Sequence, residues 1–303
     1  MPFINAYLTD APDVIVAARK TPFSPGIPPL LTGNEPRDGG FLSNLNLEDV
    51  KSIRSKDVIA SRFLREIIGS EELLNGTGKR FCLWLVDAKP SEISESKVLR
   101  ERVSQVRQNR LKAVGTKSAK ARTADTPALF SRIAQPQKRY MAVPSVSSEK
   151  RRYIPIAFFD KEVIVNNAIF FIESEDLGLF SILESHPFTV WVQTVSSRMK
   201  SDYQISASSV YNTFPFPQYT TSQERDLKEF GHAILEERGR FKDSSLGDLY
   251  DPDVMPSSLL KLHKRLDELV LSIFGLPKNA SDSEILGHLL EKYAEMTKAS
   301  KLF

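Results

Sequence analysis

Apolar residues along this chain fall into short runs rich in β-branched and aromatic side chains up to about residue 217, and into helical spacing beyond it. The runs at 13–18, 81–87, 140–144, 153–159 and 162–172 predict strands that together could build a central sheet. Between the first two, residues 22–46 hold five prolines and the pair Gly39-Gly40, which predicts a long irregular loop. Residues 95–111 place Val98, Leu99, Val103, Val106 and Leu111 near one stripe, with arginines elsewhere, and predict an amphipathic helix. After Phe214-Pro-Phe-Pro217 three further helices are expected, over 222–238, on a stripe from Leu259 to Ile273, and from a cap at Ser281 with Glu284 three residues on. The pattern predicts an α+β fold, a mixed-sheet domain over 1–217 followed by a helical domain over 218–303.

Composition changes this picture little. With 41% hydrophobic and 26% charged residues, the 303-residue chain has the make-up of a folded globular protein. No apolar run approaches the roughly 20 residues of a membrane span, and the first residues do not read as a signal peptide, so a cytoplasmic location is the expectation. The only cysteine, Cys82, lies in an apolar run and reads as a buried thiol.

Charge is more informative. Residues 97–122 hold nine Lys or Arg and a single acid, Glu101, so this segment carries +8 in a chain of net +3 and leaves −5 elsewhere. Such concentration suits a phosphate-binding surface, with Arg107, Arg110, Lys117, Lys120 and Arg122 as candidate contacts, and also suits a solvated helix face. Residues 113–122 are small, polar and basic, the composition of a loop that orders on a polyanion.

Catalytic signatures are missing. No Gly-rich turn links a strand to a helix, no Asn/Asp-Pro-Pro-aromatic loop is present to hold a flipped base, and His186, His232, His263 and His288 are scattered. His263, beside a helical stripe, reads as a packing residue. Asp87 and Lys89 follow an apolar run and could serve a Mg²⁺-dependent nuclease if another acid joined them; the same pair also suits a turn. No catalytic residue and no metal ligand is expected from the motifs.

Two segments suit DNA. In 144–155, Ser147 and Ser148 can donate to phosphate oxygens while Lys150, Arg151 and Arg152 add charge; a charged β-turn is the other reading. In 196–204, Lys200, Asp202 and Gln204 are two apart, so an extended chain would project them to one side, where lysine suits guanine, aspartate the cytosine amino group and glutamine adenine. Surface salt bridging accounts for the same charges.

Several longer motifs, in order, carry a family resemblance: Ile4-Asn-Ala-Tyr-Leu8, Gly69-Ser-Glu-Glu72, Leu83-Trp-Leu-Val-Asp87, Ser147-Ser-Glu-Lys-Arg-Arg-Tyr-Ile-Pro155, Met199-Lys-Ser-Asp-Tyr203, Val210-Tyr-Asn-Thr-Phe-Pro-Phe-Pro217 and Tyr250-Asp-Pro-Asp-Val-Met-Pro256, then Leu260, His263 and Asp267. From Ile4 almost to its end the chain resembles the C-terminal region of the MmeI-like enzymes, which combine an endonuclease, an adenine-N6 DNA methyltransferase and a target-recognition domain. The resemblance implies a double-stranded DNA recognition module of a restriction-modification enzyme. It implies that Lys200 and Asp202 read one base pair and that Gln204, where relatives often carry a basic residue, reads another with Ala168. Ser201 and Tyr203, in the same motif, join the candidate backbone contacts. S-adenosylmethionine and Mg²⁺ would belong to catalytic domains outside this chain, and a methyltransferase domain or subunit would be its partner. A stand-alone specificity subunit and a diverged nuclease using Asp87 and Lys89 are the alternatives.

Overall fold

A computed structural model describes residue 7 and residues 14–76, 78–113 and 122–300. The chain forms two compact units: a first of Met1–Leu31, Val143–Phe158 and Ile172–Phe303, and a second of Thr32–Ala142 and Phe159–Phe171. Helices and mixed small sheets make the fold α+β. Compactness does not divide the chain at residue 217, because the helices beyond it pack with residues 172–217 in the first unit.

In the second unit, strand Leu64–Ile68 lies between Phe81–Leu83, antiparallel, and Ile164–Val165, parallel. Its core gathers Leu42, Leu45, Ile53, Ile67, Leu83, Leu99, Val106 and Phe130 around the buried Cys82, and burial pushes that thiol's pKa up. The helix expected over 95–111 is Lys97–Leu111, capped by the Ser96 hydroxyl, which accepts from the Leu99 N–H at 3.0 Å. The proline-rich loop is tied down by Asp38, whose carboxylate accepts from the N–H groups of Gly40, Leu42 and Ser43 and from the Ser43 hydroxyl. Gly39 and Gly40 there have φ of +74° and +86°, a region that glycine enters without the Cβ clash.

The first unit packs helix Leu177–Leu183 on Thr221–Arg238, and Ser257–Ile273 on both Thr221–Arg238 and His186–Val195. Gly231 permits the first contact, since a Cβ there would lie 3.0 Å from the Leu177 carbonyl oxygen. Helix Asp282–Ser300 starts as its sequence indicates, with Ser281 and Glu284 exchanging backbone and side-chain hydrogen bonds. Phe214 of the Pro-Phe-Pro motif is fully buried, edge-on to Phe188 and Phe216.

Several strand expectations are corrected. Small separate sheets replace the single central one. Residues 14–18 form no strand; the N–H groups of Val16 and Ala17 donate to the hydroxyls of Tyr7 and Tyr293. Of 153–159 only Ala157–Phe159 is a strand, the donor-less Pro155 lying before it. The run 162–172 breaks into Ile164–Val165 and Ile169–Ile172 at a turn closed by the Ile169 N–H on the Asn166 carbonyl. Helix Leu47–Lys56, which the pattern did not reveal, buries only Val50 and Ile53 and relies on an Asn46 cap. Among the described residues no helix is long and apolar enough to cross a membrane.

Candidate nucleic-acid interface

Two sequence segments singled out for DNA meet in one three-stranded antiparallel sheet of the first unit. Strand Asp202–Gln204 pairs with Ser197–Met199 on one side and with Val146–Ser147 on the other, placing Tyr203 opposite both Arg198 and Ser147. The tight turn of this hairpin is Lys200-Ser201, and Val146–Ser147 leads directly into the basic turn at 148–152. Residues alternate across the pleat, so Asp202 and Gln204 share one face and Tyr203 takes the other.

Lys200 departs from the expected extended segment. It sits in the turn with φ of +58°, exposed, and not in the strand with Asp202 and Gln204. The three side chains still belong to one hairpin tip, where Lys200 and Gln204 are exposed and Asp202 is half-buried. The Asp202 carboxylate accepts from the Glu149 N–H at 3.4 Å, and Gln204 Oε1 accepts from the Ser197 hydroxyl at 3.0 Å. Arg198 donates to the Ser201 carbonyl at 2.7 Å, lies 3.6 Å from the Glu149 carboxylate and covers the Tyr203 ring at 4.2 Å.

The candidate phosphate contacts separate by burial. Lys150, Arg152, Ser201, Arg107 and Arg122 are exposed and Ser148 is half-buried. Lys117 and Lys120 lie outside the described residues. Three candidates are corrected. Ser147 is buried with its hydroxyl enclosed, because its strand is paired against Tyr203. Tyr203 is itself buried under Arg198. Arg110 is fully buried and donates to the carbonyls of Pro36, Arg37, Thr123, Thr126 and Leu129, so its charge organises loops of the second unit and is not displayed to solvent. Arg151 is half-buried; burial lowers its pKa while Asp251, Asp202 and Asp248 act against that.

Ala168 belongs to the second unit, exposed in the turn at 166–169. Its N–H donates to Asn166 Oδ1 at 2.8 Å and its carbonyl accepts from the Ser70 hydroxyl at 2.9 Å. Asp87 is exposed in a turn, and the Lys89 N–H donates to Glu92 at the start of helix Pro90–Glu95. Among the described residues no three His, Cys, Asp or Glu group as a metal site.

The first unit also holds a buried polar network that sequence reasoning missed. Glu184, Arg238, Tyr250 and His263 are buried together: Arg238 pairs with Glu184, Tyr250 donates to Glu184 at 2.6 Å, and His263 Nε2 meets the Tyr250 hydroxyl at 2.9 Å. Burial raises the Glu184 pKa, opposed by the Arg238 guanidinium, and burial together with Arg238 holds His263 well below its ordinary value. The Tyr153 ring stacks on His263 at 4.2 Å. The signal for this cluster was present only as isolated polar residues inside apolar stripes.

Comparison with known proteins bears on these motifs directly. The MmeI target recognition domain matches residues 10–218, and the MmeI C-terminal domain matches residues 220–301. The chain belongs to the MmeI family. DNA methyltransferase A of Bacillus subtilis (strain 168) is 36% identical over 294 residues, which cover 97% of this chain and 33% of that protein. A solved structure of the Type IIL restriction-modification enzyme MmeI in complex with DNA superposes with a TM-score of 0.91 at 36% identity, over 97% of this chain and 39% of that one. The chain therefore spans about a third of the length of the methyltransferase it matches.

Proposed function

We propose that this chain is the double-stranded DNA recognition module of a restriction-modification methyltransferase, with no catalytic activity of its own. The observation that carries this reading is the shared sheet: Lys200, Asp202 and Gln204 stand on a hairpin whose inner strand pairs with the strand entering the basic turn. A base-reading tip and a phosphate-holding turn are thereby fixed in one register. Lys200 and Asp202 suit the two bases of a G·C pair, and Gln204 would serve another; Ala168 is proposed as a base contact on the second unit. Lys150, Arg152, Ser148 and Ser201 supply backbone contacts here, and Arg107 and Arg122 add positive charge on the second unit. The chain is proposed to hold neither S-adenosylmethionine nor Mg²⁺; both would be bound by a methyltransferase or nuclease domain or subunit that is its partner. Asp87 and Lys89, in a turn and at a helix start, support no nuclease reading.

Selection of bound duplexes from a randomised DNA pool tests the proposal. The chain should enrich a short motif, and Lys200→Ala should relax one position of it by about 1–3 kcal/mol. Lys150→Ala and Arg152→Ala should instead weaken binding to all sequences and reduce the slope of log affinity against log salt by about one each. Full discrimination by Lys200→Ala would remove the base-reading assignment.

A further inference from the structure

Arg198 lies two residues before Lys200, yet it stands on the other face of the hairpin from the residues assigned to bases. Residues directly opposite in an antiparallel pair share a face. Met199 is opposite Asp202 and Ser197 is opposite Gln204, which puts these four on one face; Arg198 is opposite Tyr203, on the other. The Ser197–Gln204 hydrogen bond at 3.0 Å and the Arg198 guanidinium 4.2 Å from the centre of the Tyr203 ring mark the two faces. Arg198 is therefore not placed to share the base edges that Asp202 and Gln204 would meet.

Its guanidinium instead joins three parts of the site. Nη1 donates to the Ser201 carbonyl at 2.7 Å, closing the turn just after Lys200; the same nitrogen lies 3.6 Å from the carboxylate of Glu149, in the basic turn; and the planar group covers Tyr203. Glu149 also reaches the other face, where its N–H donates to the Asp202 carboxylate at 3.4 Å. The two side chains of the ion pair are 46% and 47% exposed, so the pair adds little to stability and its effect is geometric. The turn needs that geometry. Lys200 has φ of +58°, a region that a residue with a Cβ disfavours, and the hydrogen bond onto the next carbonyl holds it there.

We propose that Arg198 is a positioning residue for base reading: through the Ser201 carbonyl it fixes the turn that carries Lys200, through Glu149 it seats the basic turn against Asp202, and it does not itself contact phosphate. Arginine's planar fork can serve a carbonyl, a carboxylate and a ring face together, whereas a lysine ammonium carries the same charge without the plane. This inference rests on the DNA-recognition reading above.

Two measurements on the full chain test it. In equilibrium binding to the selected duplex and to duplexes changed at the position read by Lys200 and Asp202, Arg198→Gln and Arg198→Lys should both lose discrimination on the order of tenfold, within the range for one base-pair contact, and keep the salt slope of the wild type. Glu149→Gln should shift discrimination in the same direction, and adding it to Arg198→Gln should cost less than the two separate losses combined. Uniform weakening of Arg198→Gln on all duplexes, with a salt slope lower by about one and near wild-type behaviour in Arg198→Lys, would make Arg198 a phosphate contact and overturn the proposal. Unchanged discrimination in both variants would overturn it as well. Independently of DNA, amide hydrogen exchange over residues 197–204 and 146–152 should be faster in Arg198→Gln than in the wild type; unchanged exchange would overturn the clamp. A wild-type chain without sequence preference would overturn the functional reading instead, while the exchange measurement would still decide the clamp.

Discussion

The Tyr153 hydroxyl donates to the Asp267 carboxylate at 2.8 Å, joining the end of the basic turn to the middle of helix Ser257–Ile273. The other carboxylate oxygen of Asp267 accepts from the His186 N–H at 2.8 Å, so a single buried acid ties together a turn, the middle of its own helix and the start of helix His186–Val195. The hairpin at 197–204 and the C-terminal helices are parts of one compact unit, and disturbing one should register in the other.

Tyr153→Phe keeps the ring on His263 but leaves Asp267 Oδ2 buried without that donor. Stability should fall by about 1–3 kcal/mol, the cost of an unsatisfied buried acceptor. Urea unfolding followed by tryptophan fluorescence measures this, Trp191 being fully buried in the same unit. An unchanged midpoint would show that the bond contributes nothing net.

His263 gives stability a pH dependence whose sign is fixed. In the folded chain burial and the Arg238 charge keep it neutral well below 6.5, whereas in the unfolded chain it takes up a proton near that value. Below about pH 6.5 the unfolded state therefore binds more protons, and stability is lost as pH falls, by up to about 1.4 kcal/mol per pH unit. His288, also lowered by burial, acts in the same direction. Unfolding midpoints between pH 8 and 5 should fall less steeply in His263→Gln than in the wild type.

Arg110 and Arg107 are three residues apart and should behave in opposite ways. Arg110→Ala strips five carbonyls of their shared donor and should cost about 3 kcal/mol or more, while the exposed Arg107→Ala should stay within about 0.5 kcal/mol. Thermal unfolding of the two variants compares them; equal effects would contradict the burial argument.

Lys200 carries a non-glycine residue in the left-handed region. Lys200→Gly should relieve about 1 kcal/mol of backbone strain and so raise stability, yet lose discrimination at its base pair. A variant that is more stable and less selective separates the turn's conformation from its chemistry. Retained selectivity in Lys200→Gly would place base reading elsewhere.

The chain's own pattern determined the helices at 97–111 and 282–300, the strand at 140–144, the irregular loop rich in proline and the motifs of the MmeI family, because caps, periodicity and ordered motifs are local properties. Tertiary structure alone decided which of the marked cations face solvent. Arg107 and Arg110, or Lys150 and Arg151, are indistinguishable by composition; Arg110 is drawn inward by carbonyls far away in sequence, and Arg151 is half-buried while Lys150 is exposed. It also decided that 146–147 and 202–204 share a sheet and that Glu184, Arg238, Tyr250 and His263 close around one another. Such pairings depend on long-range packing, and no local spacing encodes them.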